Sequence, residues 1–258
     1  MASEKLKIDA RRRKILAILN RDGQVRVTEL SRELEATPVT IRSDLSALER
    51  DGYLERVSGG AVQTVKNYYN MEFQQRKQAG SAVKKRLAAV VSGLIHDGDT
   101  LMINSGTTTY EVAVELKKHK NLNIVTNSLS VAVELGAHPT FRVILLGGDI
   151  NAQYAFTYGT DAQEQLKKYR ADYAILSMDG VCPDSGLTTY HAEEALMDRM
   201  MLERSQRTIV AAESRKIGRE GFSHVCDAAG LGCLVTDSDA DPELLARFRS
   251  LGADVLIG

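Results

Sequence analysis

The sequence lacks long apolar runs and paired cysteines. No stretch of its 258 residues approaches the roughly 20 consecutive apolar residues of a membrane span. The N-terminal residues 1–7 precede no apolar run, so we expect no secretory signal there. The odd and sparse set of cysteines, Cys182, Cys226 and Cys233, fits reduced thiols in a cytosol. We therefore expect a cytoplasmic protein without a membrane partner.

Metal-ligand spacing is also missing. His224 lies two residues before Cys226, but no second ligand pair at zinc spacing follows. We expect neither a metal nor a cofactor, and we interpret the three cysteines as buried structural residues.

A strong positive charge is absent as well. The formal net charge is −1, with 43% hydrophobic and 26% charged residues, as is ordinary for a soluble globular protein. Residues 1–60 hold 12 basic and 10 acidic residues, a net of +2, which leaves −3 for the rest. A DNA-binding function in this N-terminal part would depend on few, local phosphate contacts, and a dimer would help.

The N-terminal part nevertheless has the pattern of a DNA-binding module. Residues 8–20 predict a helix, because Ile8, Ile15, Leu16 and Leu19 recur at helical spacing while the Arg/Lys run takes the other face. Val25 and Val27 suit a short strand. Thr28 is a good N-cap for a second helix, whose Leu30 and Leu34 face inward.

A third helix begins at Thr37, with Pro38 at its first position, where a missing N–H has no cost. Its buried stripe is Ile41, Leu45 and Leu48, which leaves Val39, Thr40, Arg42 and Ser43 outward. Asp51-Gly52 ends the helix, residues 53–57 alternate like a strand, and Gly59-Gly60 turns the chain. This order predicts a winged helix-turn-helix.

Small polar groups and an arginine at a helix start suit insertion into a DNA major groove. An arginine contact to guanine contributes roughly 1–3 kcal/mol of discrimination. Arg56 and the wing tip would contact the DNA backbone or the minor groove. The candidate DNA-binding residues are Thr28, Thr37, Val39, Thr40, Arg42, Ser43, Arg56, Ser58 and Gly59.

The rest of the chain predicts a second domain. We assign residues 1–61 to the winged helix, 62–80 to a linker containing Tyr68, Tyr69 and Phe73, and 81–258 to an α/β domain. After a helix at 82–95, strands are expected at 100–103, 123–126, 141–147, 172–178, 207–212, 231–236 and 254–257. Strands alternating with amphipathic helices imply a largely parallel, Rossmann-like sheet covered on both faces.

Polar residues follow the first of these strands. Asn104-Ser105-Gly106-Thr107-Thr108-Thr109 leads from an apolar strand into a helix. Backbone N–H groups at a helix start attract anions, the threonine hydroxyls add donors, and Gly106 permits close approach. This is not a Walker loop, because the Gly-Lys-[Ser/Thr] element is missing. An ordinary helix cap is the equally acceptable alternative.

Later strand ends carry similar groups. In open α/β sheets, ligands bind at the carboxyl ends of strands. Asn and Asp suit sugar hydroxyls, and Arg215 or Lys216 could bind a phosphate, although loops are generally rich in Gly and Asn and a lone Lys is more often a solvated basic turn. His191, beside Glu193 and Glu194, is better interpreted as structural. The candidate residues are Thr126, Asn127, Ser128, Gly147, Gly148, Asp149, Asp179, Gly180, Arg215 and Lys216.

These motifs, taken in order, resemble the DeoR family of bacterial transcriptional regulators over nearly the whole chain. The resemblance rests on Arg12–Leu16, Val27–Leu30, Thr40–Leu45, Gly52–Ala61, Ser105–Thr109, Thr126–Ser128, Gly147-Gly148 and Asp179-Gly180. It implies a sensor domain related in fold to ribose-5-phosphate isomerase and CoA transferases. It also implies a small phosphorylated sugar or sugar-pathway intermediate as effector, and usually repression of a carbohydrate operon.

The chain departs from the family pattern at four places. The family often has a second arginine at the position of Ser43, a histidine at Ser58 and an aspartate at Asn104. It usually has Asp-Ser-Ser-Lys where this chain has Glu213-Ser214-Arg215-Lys216, so either basic residue could bind the phosphate.

Our main hypothesis is a non-enzymatic regulator that binds double-stranded operator DNA as a homodimer or homotetramer. The alternative is a sugar-phosphate isomerase-like enzyme with Asp149, Asp179, Glu193 and Lys216 as acid/base groups. An isomerase has no use for residues 1–60, which favours the regulator. A DNA-bound scaffold with a vestigial sensor is the third possibility.

Overall fold

A computed structural model describes residues 10–63 and 73–258, and the chain divides into two compact units between Ser81 and Ala82. Predictions that involve Ile8, Tyr68 and Tyr69 fall outside the described residues.

The first unit combines helices with a small antiparallel sheet. Its elements are α1 (Ala10–Asp22), β1 (Gln24–Arg26), α2 (Val27–Glu33), α3 (Pro38–Arg50), β2 (Leu54–Val57), β3 (Gly60–Gln63) and α4 (Phe73–Gln78). The strand order is β1-β3-β2. Strands β2 and β3 form a hairpin in which Val57 lies opposite Gly60, so that Ser58 and Gly59 make the turn. Helices followed by such a hairpin form the predicted winged helix-turn-helix.

The core of this unit is the predicted one. Ile41, Leu45 and Leu48 of α3 are fully buried against Ile15 and Leu19 of α1. Their spacing of three and four residues places them on one face of each helix, so burying that face leaves the opposite face of α3 in solvent.

Two local predictions were wrong. Val27 belongs to α2 and not to a strand, and Thr28 is not the N-cap of that helix. The N-cap is Arg26, which is extended and makes no capping bond with its side chain. The physical reason lies in the wing, because the N–H of Val27 donates to the carbonyl of Gly59 at 2.9 Å. A backbone acceptor from the wing therefore satisfies a donor for which the sequence suggested a side-chain cap.

Elements also occur within the predicted linker. Strand β3 continues through Val62 and Gln63, and α4 lies at Phe73–Gln78, where Phe73 is buried. Strand β3 pairs with both β1 and β2, so its register keeps Val62 and Gln63 within the winged-helix sheet.

The second unit alternates helices and strands. Its helices are α5 (Ser81–Ser92), α6 (Thr107–Leu116), α7 (Leu129–Gly136), α8 (Thr160–Leu166), α9 (Ala192–Glu203) and α10 (Pro242–Ser250). Its strands are β4 (Thr100–Ile103), β5 (Asn123–Thr126), β6 (Arg142–Leu145), β7 (Asp149–Asn151), β8 (Phe156–Tyr158), β9 (Ala171–Leu176), β10 (Gly180–Cys182), β11 (Gly186–Thr189), β12 (Ser205–Ala211), β13 (Ser223–Cys226), β14 (Cys233–Thr236) and β15 (Asp254–Ile257). Short 3₁₀ turns lie at Ser214–Lys216 and Ala228–Gly230.

A seven-stranded sheet organises this unit. Its order is β15-β14-β12-β9-β4-β5-β6, and all neighbouring strands are parallel. These are the seven predicted strands, so the predicted parallel α/β fold is confirmed. The chain runs outward from β4 in one direction and from β9 in the other. The topological switch point therefore lies between the carboxyl ends of β4 and β9, where open sheets of this kind bind ligands.

Both faces of the sheet are covered. Leu101 and Ile103 of β4 pack into a core with α5, α6 and α7, whereas Met102 between them packs into a core with α8, α9 and α10. Alternating burial on both faces explains the continuous apolar strand that the sequence shows.

Two small antiparallel sheets were not predicted, β7–β8 and β10-β11-β13. Their strands have only three or four residues, too few for a periodic signal. The cysteine expectation holds only for Cys233, because Cys182 and Cys226 are half-buried. Burial, with the charge of Asp227, raises the pKa of the Cys226 thiol to about 11. None of the described helices has the length and apolar character needed to cross a membrane.

Candidate functional site

The start of α3 presents the predicted reading surface. The hydroxyl of Thr37 accepts the N–H of Thr40 at 3.2 Å, so Thr37 is the N-cap as predicted. Val39 is 72% exposed, and Arg42 and Ser43 are exposed on the next turn. The Thr37 and Thr40 hydroxyls lie 2.9 Å apart, which fixes the Thr40 side chain at the cap. The first turn and a half of α3 is therefore a preformed, solvent-facing polar surface.

An ion cluster fixes the other side of α3. Asp44 is buried and accepts hydrogen bonds from the guanidinium groups of Arg11 and Arg12 on α1. Burial opposes ionisation of Asp44, but the two arginines outweigh it and hold the pKa of this carboxyl below its ordinary value. The predicted solvent face of α1 therefore holds only for Arg13 and Lys14, which are exposed.

The wing is bound to α3. Arg56 donates from Nη1 to the Ser46 hydroxyl at 2.9 Å, and its backbone N–H donates to Glu49 at 3.0 Å. Ser58 and Gly59 are exposed at the hairpin turn. Since the Gly59 carbonyl accepts from Val27, the exposed Thr28 lies beside this turn. The predicted DNA-binding residues thus form two groups, one at the start of α3 and one at the wing.

At the end of β4, Asn104 is a bridge to β9. Its amide nitrogen donates to the carbonyl of Ser177 and to the carboxylate of Asp198, each at 3.0 Å. Its amide oxygen accepts the N–H of Ser177 at 3.0 Å. The side chain is fully buried. Asn104 therefore connects the ends of β4 and β9 through hydrogen bonds within the protein.

The next residues form the start of α6. Gly106 is the N-cap, and a Cβ there would come within 2.2 Å of the Ser177 hydroxyl, so this position requires glycine for space. Thr109 donates its hydroxyl to the carbonyls of Asn104 and Gly106, and Ser105 donates to the carbonyl of Tyr154. The first N–H groups of α6, which include those of Thr107 and Thr108, have no acceptor within the helix.

Polar residues at the end of β5 make hydrogen bonds within the protein. Thr126 donates to the carbonyl of Ile103 at 2.6 Å, and Ser128 caps α7 by accepting from Val131. Asn127 donates to the carbonyl of Thr157 at 3.2 Å, while its own buried Oδ1 has no hydrogen-bond partner among the described residues.

The group after β6 faces a different neighbour. Gly147 donates its N–H to Gln165 of α8, and Gly148 has φ 145° with no room for a Cβ beside the Tyr158 carbonyl. Asp149 is exposed and its carboxylate lies beside Gly159, the N-cap of α8. The hydrogen bond and close approaches of these three residues are thus with β8, α8 and its cap.

Carboxyl groups cluster beside the switch point. The N–H of Tyr190 donates to Asp179 at 2.9 Å. The Thr189 hydroxyl lies 2.9 Å from a carboxylate oxygen of Asp179 and 2.9 Å from one of Glu194, and its single hydrogen is shared between them. Asp198 is fully buried. Burial and the charge of Glu194 raise its pKa well above the ordinary value, against the hydrogen bond from Asn104. Gly180 follows Asp179 and is required because a Cβ would lie 2.5 Å from Arg219 and Thr188.

The two candidate cations have different partners. Lys216 is buried, donates to the carbonyl of Met178 at 2.6 Å and lies 3.9 Å from Asp179. Arg215 donates to Glu213 at 2.8 Å. The ammonium of Lys216 and the start of α6 therefore both adjoin Ser177–Asp179.

Several residues of this site were not predicted, namely Ser177, Thr189, Glu194 as a functional group, and Asp198. One signal was available, because Glu194 and Asp198 lie four residues apart among apolar residues of a helix. That spacing places two carboxyls on one buried face. The described residues contain no group of three or more His, Cys, Asp or Glu that could hold a metal ion.

The fold defines a class of protein, in which a winged helix-turn-helix is joined to a parallel α/β domain with a polar site at its switch point. Comparison with known proteins identifies the family within this class. The DeoR-like helix-turn-helix domain matches residues 11–66, and the DeoR C terminal sensor domain matches residues 80–238. The chain belongs to the DeoR family of transcriptional regulators.

Individual relatives match over most of their length. The lactose phosphotransferase system repressor of Lactococcus lactis subsp. lactis is 32% identical, over 91% of this chain and 93% of its own. The glycerol-3-phosphate regulon repressor of Escherichia coli (strain K12) is 30% identical, over 87% of this chain and 88% of its own. The ribose 5-phosphate isomerase A structure from Methanocaldococcus jannaschii is 13% identical, covers 54% of this chain and 55% of its own, and has a TM-score of 0.40. At that score, the predicted kinship with isomerases stays a prediction.

Proposed function

We propose that this protein is a DNA-binding repressor of a carbohydrate-utilisation operon, controlled by a phosphorylated sugar or a related intermediate. One observation carries the effector half of the proposal. The start of α6 and the ammonium of Lys216 adjoin the same segment, Ser177–Asp179, at the switch point of the sheet.

The chemistry of this place suits a phosphosugar. Unpaired N–H groups at a helix start and a lysine both favour a phosphate. Carboxylates such as Asp179 and Glu194 accept hydrogen bonds from sugar hydroxyls, and Thr189 lies between these two. A phosphosugar with its phosphate at the start of α6 and its hydroxyls toward Asp179 would contact both the cationic groups and the carboxylates.

The DNA half of the proposal rests on α3 and the wing. The exposed start of α3 would enter the major groove, where Arg42 reads or positions a base pair. Arg56 and the turn at Ser58–Gly59 would contact the backbone or the minor groove. The names of relatives that repress a glycerol-3-phosphate regulon and a lactose phosphotransferase system support a carbohydrate operon as target.

The isomerase alternative is weaker. Of its four acid/base groups, Asp179 and Lys216 are neighbours at 3.9 Å, whereas Asp149 is exposed beside α8 and Glu193 is exposed on α9. The proposal is therefore a regulator without catalytic turnover.

Reciprocal variants test this proposal. Purified wild-type protein is screened by thermal shift against ribose 5-phosphate, glucose 6-phosphate, fructose 6-phosphate, glucosamine 6-phosphate, glycerol 3-phosphate and inorganic phosphate. DNA affinity is measured on duplexes selected from a random pool. We expect R42A to lose about 10-fold or more in DNA affinity and to keep the thermal shift. The double variant T107V/K216A should lose the shift and keep DNA binding.

Matched controls are R50A, at the other end of α3, and K168A, an exposed lysine of the second unit. Both should behave like the wild-type protein. Loss of the thermal shift in R42A, or turnover of a phosphosugar that D179N abolishes, would contradict the proposal.

A further inference from the structure

The turn Glu213–Lys216 at the end of β12 connects three other parts of the second unit. The N–H of Ser214 donates to Asp237, which follows β14, at 2.7 Å. Lys216 donates to Met178, which follows β9, at 2.6 Å. On a third side, the carboxylate of Glu213 faces the ammonium of Lys84 on α5 at 3.9 Å. A displacement of this turn would therefore alter contacts with the ends of β9 and β14 and with α5.

Glu213 is the ionic centre of the turn. Its buried carboxylate accepts a hydrogen bond from the guanidinium of Arg215 at 2.8 Å. The ammonium of the fully buried Lys84 lies 3.9 Å from the same carboxylate. Burial opposes ionisation, but the charges of Arg215 and Lys84 outweigh it and hold the pKa of Glu213 below its ordinary value. Arg215 and Lys84 contribute most to keeping this buried carboxylate ionised, and Lys216 contributes less.

These two cations come from different places. Arg215 lies in the same turn as Lys216, one of the phosphate candidates. Lys84 lies in the first turn of α5, and α5 begins at Ser81, where the chain passes from the first compact unit into the second. Glu213 therefore joins the effector-side turn to the helix that follows the DNA-binding unit.

We propose that Arg215 changes partner when the effector binds, and that Glu213 and Lys84 pass this change to α5. The proposal rests on the proposed function, because it takes a phosphate as the effector group. The phosphate takes the guanidinium of Arg215 from Glu213, and Lys84 then closes onto Glu213 and displaces the first turn of α5.

The chemistry of the groups favours this exchange. A guanidinium binds a phosphate with two parallel hydrogen bonds, and a phosphate monoester carries more negative charge than a carboxylate. A buried carboxylate that loses a cationic partner needs compensation. The Lys84 ammonium is 3.9 Å from Glu213, beyond the roughly 2.7–3.2 Å of a hydrogen bond, so there is distance left to close.

The experiment uses the full chain and the variants K84M and K85M. Lys85 is the exposed neighbour on α5 and serves as the matched control. The probe is the compound of the panel that stabilises the wild-type protein most. Probe affinity is measured by calorimetry, and the DNA dissociation constant is measured with and without saturating probe. Hydrogen exchange of residues 81–92 is followed under both conditions.

We expect the probe to change the DNA dissociation constant of wild-type protein and K85M by about 10-fold. In K84M we expect this change to fall below about twofold, while probe affinity stays within about threefold of wild type. The probe should alter hydrogen exchange at the start of α5 in wild type and not in K84M. If Lys84 only stabilised the fold, K84M would not lose the effect of the probe on DNA affinity while keeping its affinity for the probe.

A second variant keeps the proposal testable if K84M does not fold. E213Q preserves shape, removes the charge and should lose the response like K84M, and the double variant should be no worse than either single variant. A wild-type response in K84M or E213Q overturns this coupling alone, and so does loss of probe binding in folded K84M. No stabilisation of wild-type protein by any panel compound overturns the proposed function and the coupling together.

Discussion

At the scale of single residues, several polar side chains at strand ends make their hydrogen bonds within the protein. Asn104 has the residue type expected of a ligand contact, yet its donors and its acceptor bind Ser177 and Asp198. Thr126 likewise binds a backbone carbonyl of the neighbouring strand β4, and Ser128 binds a backbone N–H of the helix that it caps. Buried polar atoms need partners, and an ordered loop supplies them internally. Candidate ligand contacts are therefore better sought among the N–H groups and cations that these residues hold in place.

Asp198 gives a residue-scale prediction with a definite sign. Its pKa is raised in the folded protein, chiefly by burial and then by Glu194. The folded state therefore holds the proton more tightly than the unfolded chain. The resulting penalty is absent below the unfolded pKa of about 3.9 and grows as pH rises toward the raised folded pKa. We expect D198N, which keeps an acceptor for Asn104, to raise Tm by about 3 °C or more at pH 8 and by less at pH 5.

Thermal unfolding at pH 5, 6, 7 and 8 measures this difference. D161N is the matched control, since Asp161 is exposed and the same change there should give a small effect at every pH. An equal Tm difference between D198N and wild type at pH 5 and pH 8 would contradict the assigned role of the buried charge.

At the scale of elements, helix α3 is fixed by three sets of contacts. These contacts involve two elements: α1 receives its apolar stripe and supplies Arg11 and Arg12 to its Asp44, and the wing supplies Arg56 to its Ser46. On the proposed function, a helix held in this way keeps the orientation of Arg42 and Ser43 before DNA arrives, which lowers the ordering cost of binding. Ser43, where the family often has arginine, is the exposed residue at which we expect an altered base preference.

Two adjacent glycines of the wing provide an element-scale prediction. A Cβ on Gly60 would lie 1.9 Å from the Val25 carbonyl, whereas Gly59 has φ 78° and open space around it. G60A must separate β3 from β1, and we expect it to cost about 2 kcal/mol or more. G59A meets only left-handed backbone strain of about 1 kcal/mol.

Hydrogen exchange of residues 10–63 reports this local stability, and binding to the selected duplex reports its consequence. We expect faster exchange and weaker DNA binding in G60A than in G59A. Equal behaviour of the two variants would show that the close approach of β3 to β1 does not support the wing.

At the scale of the whole molecule, the low charge of the DNA-binding unit bears on assembly. A net charge of +2 over residues 1–60 allows one unit few phosphate contacts. We expect at least a homodimer, with a mass by light scattering of twice 28.3 kDa or a higher multiple. Two half-sites separated by about 10–10.5 base pairs, or a multiple, should then be required.

Duplexes in which half of a selected site is moved by about 5 base pairs test this requirement, because the shift turns one half-site to the opposite side of the helix. We expect a loss of affinity of at least about 10-fold. A monomer at micromolar concentration that binds both duplexes equally would contradict the dimer.

The sequence by itself determined the elements whose signals are local. The cap at Thr37, the apolar stripe of α3 and the seven parallel strands follow from capping chemistry and hydrophobic periodicity, which act over a few residues. Only the tertiary structure decided what those elements meet. The structure pairs Val27 with the Gly59 carbonyl of the wing, Asn104 with Asp198, and Lys84 with Glu213. The residues of these pairs are 32, 94 and 129 positions apart in the sequence. Such pairings depend on burial and on distances that no local pattern records.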